Sequence, residues 1–247
     1  MSNPTSPIRL IELFAGYGSQ ALALQYAGIP FEHHFVCEFD KYAMQSYNDI
    51  HGTNFEVSDV CDIHGTDLNV TDLDKYRYLL TYSFPCTDLS LAGKRAGMSR
   101  DSGTRSSLLW QVERLLQECA ELQKEQPDKY GLPQYLLMEN VPQVVSKDNL
   151  KLFSEWTQFL FRLGYDSQYK LLNAKDFGVP QNRERCFMVS ILRSEHKTFA
   201  FPKPIELKLR LKDVLEDESE VDEKYYIRSE KAQNLINKLI LDGELPN

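Results

Sequence analysis

The chain has 247 residues, 42% hydrophobic and 26% charged, with 12 glycines and 11 prolines. It is long enough to bury one large core and too apolar to stay disordered. The formal charge of −8 argues mildly against an isolated nucleic-acid binder, and no apolar run reaches the roughly 18 residues of a membrane span.

Residues 8–13 read as a strand closed by the glycine turn Phe14-Ala15-Gly16-Tyr17-Gly18-Ser19. A helical pattern follows through Leu22, Leu24, Tyr26 and Ala27, ending at Gly28 and Pro30. Residues 35–37 form a short second strand that ends on Glu38-Phe39-Asp40, and residues 41–47 look helical. Residues 55–57 are a weak third strand running into Ser58-Asp59-Val60. Further strands are expected at 78–83 and 135–138, with a long amphipathic helix over about 108–122 between them. Two more are expected at 167–172 and 186–192.

Strands alternating with helices imply a mostly parallel sheet covered by helices on both faces. Ligands of such sheets sit beyond the carboxyl ends of the strands. Those ends carry Gly16 and Gly18, Glu38, Asp59, Cys86 and Glu139. From about Leu207 the character changes: residues 213–223 hold seven acids in eleven positions and no base. That run reads as a solvated linker, and a short amphipathic helix over about 229–241 follows.

A strand, a glycine turn and a helix N-terminus let backbone N–H groups approach a ligand. Glu38 at the end of the next strand can accept hydrogen bonds from both hydroxyls of a ribose, and Asp59 can accept from an adenine amino group. The three together point to an adenosine-containing ligand. A triphosphate is disfavoured, because the turn lacks the Lys-Ser/Thr pair of a phosphate-gripping loop.

The five cysteines are scattered and never in CxxC spacing, so neither a disulfide framework nor a metal site is expected, and a reduced, cytoplasmic setting is. Cys37, Cys61 and Cys119 read as inert. Cys86 differs, because it follows Pro85 just past an apolar strand and opens a polar loop where a thiolate could be favoured. That loop interleaves Gly93, Gly97 and Gly103 with Lys94, Arg95, Arg100 and Arg105, the makings of a lid over a polyanion. Glu139 ends an apolar strand, where partial desolvation would make it a proton donor near neutrality. Gln181, Arg183 and Arg185 lead into the last strand, where strand alternation would place all three on one face, suited to a phosphate or a base carbonyl.

FAGYG, PCTDLS, ENV and QNRER stand in the order and approximate spacing of the C5-cytosine DNA methyltransferase family, and the chain is identified as resembling it over residues 8–192. The wording TYSFPCTDLS and GTRSSLLW is similar to phage and prophage members. The resemblance implies a Rossmann-like α/β methyltransferase fold and S-adenosylmethionine as cofactor, held by Phe14, Gly16 and Gly18. Glu38 would take the ribose, Phe39 would pack on the adenine, and Asp59, Val60 and Pro85 would complete that site. Cys86 would be the nucleophile that adds to C6 of a flipped-out cytosine, Glu139 the acid, and Arg185 the contact to the base, with Arg183 and Gln181 in support. Ser90, Lys94, Arg95, Arg100, Arg105 and Gln181 would face double-stranded DNA. The chain departs from the family pattern at Ser19, Ser83 and Thr87, all small or polar exchanges. Residues 1–204 would then be the catalytic domain, and 205–247 an acidic linker with only the start of a target-recognition region. A second polypeptide could supply the remainder. The alternatives are a catalytically silent remnant that binds the cofactor or a partner, or half of a split enzyme that is inactive alone.

Overall fold

Side-chain alternation along the first strand sets the whole architecture. In the computed structural model, which describes residues 6–86 and 105–244, β1 (Ile8–Leu13) buries Ile11 and Leu13 on one side and Glu12 on the other. It lies between β2 (Phe31–Cys37) and β3 (Arg77–Tyr82), parallel to both. The sheet continues through β4 (Tyr135–Asn140), β6 (Glu184–Leu192) and β5 (Tyr165–Asn173), in the order β2-β1-β3-β4-β6-β5. β4 is parallel to β3, and β6 runs antiparallel to both its neighbours. The expected mostly parallel sheet is therefore what forms, with one reversed strand.

Each face carries its own helices. Ile11, Leu13, Leu80, Tyr82, Leu136 and Met138 pack in one cluster with α3 (Leu109–Glu125) and α4 (Leu150–Leu163). α3 buries Val112, Leu115, Leu116 and Cys119, the spacing of one helical stripe. The sequence reading placed no element at α4, although Phe153, Trp156 and Leu160 show the same spacing. Gly164, at φ 102°, ends that helix in the left-handed region. The Trp156 indole donates to the Tyr82 hydroxyl at 3.2 Å and ties α4 to the sheet. On the opposite face, Val36 packs with Met44 and Tyr47 of α2 (Lys41–His51), and α1 (Ser19–Tyr26) buries Ala21.

The expected third strand at 55–57 does not form. Its backbone groups are taken by one side chain: the Asn48 amide donates to the Phe55 carbonyl and accepts from the Phe55 N–H, at 2.9 and 2.8 Å. A side chain that satisfies both groups removes the reason for a ladder. Asp59 is thus held by a loop, pinned to β2 through the Ser58 N–H bond to the Glu38 carbonyl at 3.1 Å. After Phe199, residues 205–244 run as 3₁₀ turns and one helix, α5 (Glu230–Leu241), which buries none of its residues.

Candidate active site

The carboxyl ends of β1, β2 and β3 open on a cleft of about 580 Å³, within the range of small-molecule sites. Phe14, Glu38, Phe39, Asp59, Val60 and Pro85 all line it, so the structure brings together six of the residues that the sequence assigned to cofactor binding. Glu38 is fixed by backbone: one carboxylate oxygen accepts from the Gly16 N–H and the other from the Asp40 N–H, both at 2.8 Å. Asp40 in turn caps α2, accepting from Tyr42 and Ala43. The Asp59 carboxylate is set by the Cys61 N–H at 2.8 Å. Phe39 is largely exposed beside these acids, an open ring face for a planar ligand. Two acids held by backbone donors beside two aromatic rings fit a nucleoside with a ribose and an exocyclic amine.

Gly16 and Gly18 do not line the cleft; they shape the turn behind it. A Cβ on Gly18 would collide with the His51 and Tyr47 rings, so Gly18 serves close packing rather than direct contact with a ligand. Arg105, which the sequence assigned to DNA, lines the same cleft with Leu108 and Ser83. Ser90, Lys94, Arg95 and Arg100 lie outside the described residues.

The other half of the site grows from β3 and β4. Tyr82 pairs with Met138, which puts Ser83 level with Glu139 at the end of the ladder. The Asn140 side chain donates to the Phe84 carbonyl at 3.0 Å, and the Ser106 hydroxyl donates to the Pro85 carbonyl at 3.0 Å. These bonds hold the Phe84-Pro85-Cys86 segment against the sheet. Cys86 is half-buried there, next in chain to the cleft-lining Pro85. Burial pushes the Cys37 thiol up to about 11 and the Cys119 and Cys186 thiols up to about 12, and it raises Cys61 as well, which favours the protonated thiol at neutral pH.

Glu139 is partly buried, as expected of a carboxyl that ends an apolar strand, and its Oε1 lies 3.1 Å from Nε of Arg185. One expectation about this half needs correction: the alternation argument for Gln181, Arg183 and Arg185 fails. Only Arg185 lies in β6; Gln181 and Arg183 are exposed in a turn closed by Gln181 N–H to Val179 carbonyl and Arg183 N–H to Gln181 carbonyl bonds. Bonds that span two residues curl the chain, so alternate side chains no longer share a face. Residues that the sequence reading missed are Asn140 and Ser106, whose roles depend on partners more than 20 positions away in the chain.

The cleft thus ends at Pro85, next in chain to Cys86, and the Glu139–Arg185 pair stands on the neighbouring strands β4 and β6. The chain belongs to the C-5 cytosine-specific DNA methylase family, whose description matches residues 8–240. It is 34% identical to type II methyltransferase M2.ScrFI of Lactococcus lactis subsp. cremoris, covering 92% of this chain and 72% of that protein. It is 40% identical to orphan methyltransferase M.SssI of Spiroplasma monobiae over 67% of this chain and 42% of the relative. Orphan methyltransferase M.SPBetaI of Bacillus phage SPbeta is 29% identical, with 62% of its length covered. Among solved structures, S. pombe Dnmt2 methyltransferase superposes with a TM-score of 0.67 at 24% identity, over 93% of this chain and 65% of that one, which shows the shared fold. The chain therefore spans between 42% and 72% of the length of these relatives.

Proposed function

We propose that the chain carries the catalytic part of a DNA cytosine-C5 methyltransferase, and that its cleft takes S-adenosylmethionine. The observation that supports this reading is that Pro85 lines the cleft with Cys86 next in chain, while Asn140, next to Glu139, donates to the Phe84 carbonyl of the same segment. When bound, the cofactor supplies a methyl group on a sulfonium. Glu38 orients the ribose, Asp59 the adenine edge, and Phe39 covers the ring. C5 of cytosine is a poor nucleophile until a group adds at C6, and the Cys86 thiolate is the residue placed to add. Glu139 assists by hydrogen bonding or proton transfer at N3, where charge builds as the thiolate adds. Arg185 pairs with Glu139 and offers its guanidinium to the base carbonyl. Loss of the C5 proton and expulsion of the Cys86 thiolate restore the ring. A cytosine stacked in a duplex cannot reach this thiol, so it must be turned out of the helix.

Double-stranded DNA is the proposed substrate, with target reading supplied by a recognition region for which residues 205–244 are the approach. Ile205, Leu207, Leu209 and Leu211 are all exposed along that segment, an apolar row that suits contact with a recognition part, whether in the same polypeptide or in a second one. The setting proposed is cytoplasmic; among the described residues no helix is long and apolar enough to cross a membrane, and none of their His, Cys, Asp and Glu side chains cluster as a metal site.

The test is Cys86→Ser. With tritiated S-adenosylmethionine and mixed-sequence DNA, transfer should vanish while calorimetric cofactor binding stays within about twofold. Transfer surviving in the variant, or cofactor binding lost with it, would contradict the assignment.

A further inference from the structure

Three residues of the glycine turn adopt left-handed backbone: Phe14 at φ 58°, Gly16 at φ 57° and Gly18 at φ 80°. For phenylalanine that conformation is disfavoured, and it persists only where the surroundings over-determine it. The surroundings here are side chains for which the chemistry above has no use.

Glu12 lies two residues ahead of Phe14 and is wholly buried. Its Oε2 accepts from the Tyr47 hydroxyl at 2.6 Å. The Tyr47 hydroxyl also lies 2.6 Å from Nδ1 of His33, so the two rings share a hydrogen bond. One helical turn along α2, His51 Nε2 donates to the Tyr17 carbonyl at 3.0 Å, inside the glycine turn itself. The Tyr47 and His51 rings fill the space a Gly18 side chain would need. The amino end of the same helix carries Asp40, whose N–H holds Glu38. Helix α2 thus grips the glycine turn with its last turn and the ribose carboxylate with its first. His51 Nδ1 is buried without a hydrogen-bond partner among the described residues. Such an orphaned atom costs stability, which fits a group kept for placement.

We infer that Glu12, Tyr47 and His51 are positioning residues for cofactor binding: they fix the glycine turn against α2 and so set its distance from Glu38. This rests on the cofactor reading above, and the two can fail separately.

The experiment uses the full chain with His51→Leu, His51→Gln and Tyr47→Phe, read by amide hydrogen exchange and by calorimetry with S-adenosylmethionine. His51→Leu removes the donor to Tyr17, and a glutamine amide at that position restores one. One lost hydrogen bond is worth up to about tenfold in affinity. The expected result for His51→Leu is faster exchange over residues 14–20 with unchanged exchange over β4, and cofactor affinity weakened up to about tenfold. His51→Gln should recover most of both, and Tyr47→Phe, which keeps the ring against Gly18, should weaken binding to a similar extent. The inference is overturned if His51→Leu binds and exchanges as the wild type does, or if glutamine is no better than leucine. Failure of the wild type to bind S-adenosylmethionine would sink the cofactor reading instead, and the exchange data would still decide whether the brace holds the turn.

Discussion

On the side proposed for the cofactor, the acids are anchored by backbone: Glu38 by the Gly16 and Asp40 amides, Asp59 by the Cys61 amide. On the side proposed for the base, and among the described residues, Glu139 pairs with Arg185, both partly exposed, and the Cys86 segment accepts side-chain bonds from Asn140 and Ser106. The difference teaches which half is preformed. A nucleoside site can be set in advance by the loops of a parallel sheet, because its donors and acceptors are local. A site for a base drawn from a duplex must admit a polymer and rearrange around it, and groups that reorganise are drawn from the less constrained part of a fold.

The sharpest way to break this contrast is Glu139→Gln. It should cut methyl transfer by about 10²–10⁴-fold, the range for a lost general acid, while calorimetry finds cofactor affinity unchanged. Equal loss of both would mean that the halves are not separable. Gly18→Ala tests the stiffness of the cofactor side. The left-handed φ of 80° and the collision with His51 and Tyr47 should cost roughly 2–4 kcal/mol in urea unfolding. A variant as stable as the wild type would show slack in the turn.

The same region should reveal itself in pH dependence. Burial raises the Glu12 carboxyl from an ordinary 4.5 to about 7, against the pull of the Tyr47 hydroxyl and the Ala21 backbone. The folded state therefore holds this proton longer than the unfolded chain. Its stabilising contribution is full below pH 4.5 and is lost as pH rises through 7. Relative to Glu12→Gln, the wild type should lose on the order of 3 kcal/mol between those limits, measured by urea unfolding at several pH values; a constant gap would refute the shift. The smallest effect belongs to the carboxyl-terminal segment. Leu235 of α5 is exposed, so Leu235→Ser should change stability by no more than about 0.5 kcal/mol. A larger loss would show that α5 packs after all.

Much of this architecture was legible because the relevant signals are local. The strand at 8–13, the glycine turn and the acid ending the next strand lie within about 30 consecutive residues, and FAGYG, PCTDLS and ENV mark three strand ends and QNRER one strand start, in order. Local reading failed where a distant or competing partner decided. Phe55 looked like a strand residue until Asn48 claimed both of its backbone groups. Arg183 looked like a strand neighbour of Arg185 until the turn bonds curled the chain ahead of β6. Helix α4 carries its own apolar stripe, Phe153, Trp156 and Leu160, a local signal of the same kind.

The sequence by itself determined the sheet class, the residue types at the strand ends and the family, since each follows from periodicity or from a short motif. Only the tertiary structure decided that Glu139 meets Arg185, that Asn140 grips the Cys86 segment, and that Glu12 lies under Tyr47. Those pairs are 46, 56 and 35 residues apart. No local propensity encodes such distances; they arise when strand register and helix packing close the chain around them.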